Sequence, residues 1–159
     1  MGSHTSPKIK SGCVRKELLQ VVALMLGREM AKHCKQNIVQ YVLRPMIERQ
    51  LKAGNPYIRL GNLVVTATPR ECLAVGKSQL FKHMRKVASA APWLDEVYGV
   101  IVTDDAHAEY YTLRKGGDPE LKAEGDPGDI AATALATLCA GKIPVVGPED
   151  IAIVFGIQS

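Results

Sequence analysis

Asp105, His107 and Glu109 alternate within the stretch TDDAHAEYY, so on an extended strand all three side chains share one face. Two carboxylates and an imidazole gathered this way can hold a divalent cation or exchange protons with a substrate. The same spacing also suits a solvated hairpin tip, which asks only that the residues be polar. A second stretch, ECLAVGKS at residues 71–78, ends in Gly76-Lys77-Ser78, the closing residues of a phosphate loop. That loop needs another glycine five positions before Gly76, where backbone amides curl around phosphate. Glu71 stands there, and Cys72-Leu73-Ala74-Val75 reads as core material. No nucleoside triphosphate is therefore expected, and VYGVIVTDD reads as a plain strand end.

Lys77 belongs instead to a basic helix. In GKSQLFKHMRK, Lys77, Lys82, Arg85 and Lys86 interleave with Leu80, Phe81, Met84 and Val87. At 100° per residue Lys82, Arg85 and Lys86 point outward, with Ser78 as a candidate cap at an anion-favouring N-terminus. Arg28, Lys32 and Lys35 form a second stripe at i, i+4, i+7, beside His33. Arg44, Arg49 and Lys52 make a third cluster, and PKIK supplies a basic arm. Any one stripe suits a solvated helix face. Three together suggest a surface for a polyanion, with Tyr41 and Tyr57 as candidate base-stacking rings.

The charge distribution agrees. Residues 1–90 carry 16 Lys/Arg against 4 Asp/Glu, whereas residues 91–159 carry 4 against 12. A basic first half meets phosphate; an acidic second half meets a basic partner, another copy, or its own first half.

The supporting elements follow from periodicity. Val14, Leu18, Leu19, Val22, Leu26 and Met30 recur at helical intervals, and Ile38, Val42 and Met46 resume the pattern. Two or three helices are expected over 14–53, with Gly27 a possible division and Pro45 an interruption. YIRLGNLVVTAT predicts a tight hairpin turning at Gly61-Asn62. A helix over 70–90 follows, then strands EVYGVIVTDD and AEYYTLR. KGGDPELKAEGDPGD reads as a loop, Asp126 as the N-cap of helix IAATALATLCA, and DIAIVFGI as a last strand. Helices first and strands later make this an α+β fold: N-terminal helices, then a small mixed or antiparallel sheet with two further helices on it. Residues 1–13 read as a tail and 14–159 as one domain.

The four cysteines (Cys13, Cys34, Cys72, Cys139) lie far apart, without metal-ligand spacing. They suggest free thiols in a reducing cytoplasm, and no run of residues is apolar and long enough to span a bilayer. LKAGNPYIRLGNL followed by AVGKSQLFKHM resembles the HU-type DNA-bending proteins over fewer than forty residues, but the arginine-rich arm of that family is missing. The residues themselves predict a non-enzymatic, cytoplasmic, homodimeric binder of RNA or DNA with little sequence preference. It would grip phosphates through Lys77, Lys82, Arg85, Lys86, Arg28, Lys32 and Lys35, with no cofactor, metal or membrane partner. The alternatives are an adaptor or assembly factor that self-associates through oppositely charged halves, and a small metal-dependent nuclease or phosphodiesterase using Asp105, His107 and Glu109.

Overall fold

A computed structural model describes residue 13, residues 15–140 and the backbone of 144–146 and 152–154. The chain opens with α1 (Lys16–His33), which runs unbroken through Gly27 and buries Leu19, Val22, Leu26 and Met30. That spacing sets one apolar stripe against a neighbour. A single turn (Gln36–Ile38) and a π-helical turn (Val39–Leu43) lead into α2 (Arg44–Lys52). Pro45 does not interrupt this run as the sequence suggested. The Arg44 N–H donates to the Val39 carbonyl, five residues back, and the widened turn absorbs the missing proline N–H.

Strands β1 (Tyr57–Leu60) and β2 (Leu63–Thr68) form the expected hairpin. Gly61 sits at φ 64° in the first central position, the requirement of a two-residue type II′ turn. Buried Gln50 ties α2 to this edge: its amide donates to the Met46 and Arg59 carbonyls, and its oxygen accepts from the Arg59 N–H at 2.7 Å. Helix α3 (Leu73–Ala90) then crosses over to β3 (Glu96–Thr103), which pairs in parallel with β2. Strands β4 (Ala108–Arg114) and β5 (Glu120–Gly125) continue antiparallel, giving the order β1-β2-β3-β4-β5. The loop expected at 115–129 thus contains a strand. Helix α4 (Pro127–Cys139) is capped as anticipated, the Asp126 side chain accepting from the Asp129 N–H. Beyond it, β6 (Pro144–Val146) and β7 (Ala152–Val154) pair with each other. The fold is α+β with a mixed sheet. Most of the tail and much of the expected last strand lie outside the described residues.

Alternation along the strands sorts two cores. Val65, Ala67, Val100, Val102, Ala108 and Tyr110 face α1, α2 and α4. Val64, Val97, Ile101, Tyr111 and Leu113 face α3, through Leu80, Met84 and Val87. Close approach of α3 depends on two glycines. A Cβ at Gly76 would lie 3.0 Å from Ile101, and one at Gly99 would lie 2.5 Å from the Met84 sulfur.

The cysteines correct the sequence reading. Cys13 pairs with Cys72 and Cys34 with Cys139, across separations of 59 and 105 residues. Such separations hide the pairing from local spacing, yet closing each loop contributes about 4 kcal/mol in the chain-entropy account. The second cross-link joins the C-terminal ends of α1 and α4.

Gly99→Val should destabilise the fold by ~1–3 kcal/mol, because Met84 is fully buried and has nowhere to yield. Gly27→Ala, with nothing within 4 Å of the added carbon, should stabilise by ~0.5–1 kcal/mol. Urea denaturation midpoints of the two variants, moving in opposite directions from the parent, check this packing.

Candidate functional site

Among the described residues one helix covers the second face of the five-stranded sheet, so α3 leaves a flank on either side. Its residues divide accordingly. Gln79, Lys82, His83 and Lys86 look toward β1, and Lys77, Phe81 and Arg85 look toward β4 and β5.

The β1 flank is a cleft of about 610 Å³ with an apolar floor that includes Val64 and Leu80. Lys16, Lys82 and Lys86 line it, together with Tyr57, Thr66, Gln79 and His83, and no Asp or Glu is among its described lining residues. Lys16 stands at the first turn of α1, beside Cys13, which the disulfide holds at the start of α3. His83 stacks on Tyr57 with ring centroids 3.6 Å apart. Burial, then the positive charges of Arg59 and Lys86, push His83 down to about 4. Its Nε2 is buried and has no hydrogen-bond partner among the described residues.

The opposite flank is internally paired. Lys77 Nζ lies 3.5 Å from Glu109 Oε1, which also accepts from the Tyr111 hydroxyl. Arg85 lies 3.5 Å from Asp118, and Phe81 meets Tyr111 edge-on with centroids 4.9 Å apart. Burial and the bond to Glu109 raise the Tyr111 phenol well above its ordinary range. Lys77 and Ser78 sit inside α3, which begins at Leu73, so Ser78 caps nothing. Gly76 is buried against the sheet. Gly-Lys-Ser is therefore a helix-packing segment with no loop geometry for phosphate.

The seven cationic residues expected to share one surface are spread over three places. Lys82 and Lys86 line the cleft; Lys77 and Arg85 occupy the other flank; Arg28, Lys32 and Lys35 lie on or just after α1, across the sheet. Lys32 is 3.3 Å from Glu29. The contacts Lys77–Glu109, Arg85–Asp118 and Arg70–Asp105 join the basic half to the acidic half within one chain. They leave less charge for self-association through opposite halves.

The alternating triplet also divides. Asp105 turns back to the Thr103 hydroxyl and lies 3.8 Å from Arg70, and the Thr103 bond lowers its carboxyl below the usual range. His107 and Glu109 stay together, and Glu124 of β5 joins them. Lys16, His83 and Glu124 were missed as site residues. Lys16 is positioned by a disulfide, and Glu124 by a strand that read as loop; period-two alternation of Glu120, Lys122 and Glu124 was the available signal for the latter.

The unfolded chain takes up a proton on His83 near the ordinary value of 6.5, well before the folded one does at about 4. Stability contributed by the neutral ring is complete above pH 6.5, declines as pH falls, and is gone below pH 4. In an NMR titration the His83 ring should have its midpoint near pH 4; a midpoint near 6.5 would contradict the buried placement. No family model, curated protein or solved structure matches the chain.

Proposed function

We propose that the chain is a non-enzymatic nucleic-acid binder whose site is the cleft between α3 and β1. The observation that carries this reading is the convergence of Lys16, Lys82 and Lys86 on one cleft with no carboxylate among its described lining residues. Lysine ammonium groups neutralise backbone phosphates as point charges and release condensed counterions. The Tyr57–His83 stack and the apolar floor add a flat surface for a base, the combination used for single strands. Phosphate beside His83 would favour its protonated form, so binding and uptake of a proton would be coupled.

No described helix is long and apolar enough to cross a membrane. Two disulfides favour an oxidising setting over the reducing cytoplasm that the cysteine spacing suggested.

A homodimer is a second reading, favoured by Val21 and Leu24 on the outer side of α1. They are 59% and 70% exposed, and aliphatic side chains at i, i+3 suit a two-fold contact between copies of one helix. Light scattering of the parent should give twice the chain mass, and Leu24→Lys should return it to monomer; a monomeric parent defeats this reading.

For the cleft, Lys82→Gln with Lys86→Gln should weaken binding of a single-stranded oligonucleotide at least tenfold. The slope of log affinity against log salt should flatten by roughly 1.4, two contacts at ~0.7 each. Arg28→Gln with Lys32→Gln should leave affinity and slope almost unchanged. Equal losses from the two pairs would place the contact elsewhere.

A further inference from the structure

His107, Glu109 and Glu124 present one nitrogen and two oxygens that all lie within 4.8 Å of one another. Glu109 and Glu124 are directly opposed in the β4–β5 register, and His107, in the turn just before β4 begins, comes up beside them. His107 Nε2 lies 3.1 Å from Glu124 Oε1 and 3.9 Å from Glu109 Oε2. Tetrahedral coordination with ~2.0–2.1 Å bonds separates neighbouring ligand atoms by about 3.3 Å, a value these two distances bracket.

Two independent features point to a cation at this place. Like charges directly opposed across antiparallel strands destabilise a sheet, yet here two carboxylates face each other. Lys77 is the ammonium beside them, at Glu109 Oε1, so with His107 neutral the group keeps one excess negative charge. The second feature is the division of labour within Glu109, whose residue is only 9% exposed. Its Oε1 receives the Tyr111 hydroxyl and faces Lys77. Its Oε2 receives no hydrogen bond among the described residues and points toward the His107 nitrogen. A carboxylate anchored from behind through one oxygen, with the other open to solvent and to an imidazole, is how ligating carboxylates are oriented in metal centres.

We infer that His107 Nε2, Glu109 Oε2 and Glu124 Oε1 form a site for a divalent transition-metal ion, with zinc the best match to one imidazole and two carboxylates. The ion takes the lone pair of His107 Nε2, and the single proton of the neutral imidazole then sits on Nδ1. Tyr111 and Lys77 serve as positioning residues that hold Glu109 through Oε1. Glu124, whose side chain is 53% exposed, closes the site from the solvent side and leaves room there for water as the remaining ligand. The site lies on the β4–β5 flank, across α3 from the lysine cleft, and does not depend on the reading of that cleft.

Titration calorimetry of Zn²⁺ into the full chain tests this. The parent should bind one ion per chain, His107→Ala should bind at least tenfold more weakly, and Glu124→Gln should be weakened as well. Zn²⁺ should also raise the parent's melting temperature, and that of Glu124→Gln clearly less at the same concentration; this exposed, near-isosteric change keeps the fold intact even if His107→Ala does not. Absence of saturable binding to the parent overturns the inference. So does unchanged affinity in both variants, which would put the ion on other histidines.

Discussion

A helix is about 10–12 Å across, and five strands at ~4.8 Å spacing span about 19 Å. One helix laid on such a face cannot cover it. That mismatch governs the architecture here, because the first face receives α1, α2 and α4 and, among the described residues, the second receives α3 alone. Helix α3 resolves the problem by centring on β2 and β3, where Gly76 and Gly99 let it approach closely, and by abandoning both margins. The margins become usable surface backed by rigid strands, the kind of support that holds side chains to a ligand's geometry.

The two margins differ electrostatically because of what each is built against. On the β1 side, α3 meets an edge hairpin and the start of α1, and the sequence places Tyr57, Thr66 and Lys16 there. On the other side it meets β4 and β5, which belong to the acidic half of the chain. Lys77 and Arg85 therefore find carboxylate partners, whereas Lys82 and Lys86 have none among the described residues. Uncompensated lysines on a partly apolar cleft are a standing attraction for an anion, while paired ones mostly add local order.

Much of this was legible before the fold. The Gly61-Asn62 turn, the Asp126 cap and the apolar stripe of α1 rest on local chemistry, and local chemistry decided them. Three features depend on partners distant in sequence. Strand β5 is polar and flanked by Gly-Asp-Pro triplets, so only its pairing with β4 makes it a strand. The cysteine pairs bridge 59 and 105 residues, beyond any spacing rule. Pro45 is accommodated by a widened turn that its neighbours do not advertise. The split of the α3 lysines was readable in part: Lys77, Phe81 and Arg85 recur at i, i+4, i+8 and share one side, while Lys82 and Lys86 share another. Which side would meet acid required the strand order.

The charge asymmetry of the chain then takes on a spatial meaning. A basic first half and an acidic second half could neutralise each other completely on folding, which would leave no uncompensated charge on either side of α3. The strand order prevents it. Strand β1, from the basic half, ends one edge of the sheet, and β5, from the acidic half, ends the other. With α3 running between them, only the cations on its β4–β5 side are brought to carboxylates. Those facing β1 are kept apart from the acidic strands by the helix itself. A sheet that placed β5 beside β1 would have quenched Lys82 and Lys86 just as Glu109 quenches Lys77. The excess positive charge of the cleft and the excess negative charge around His107 are thus two consequences of one topology.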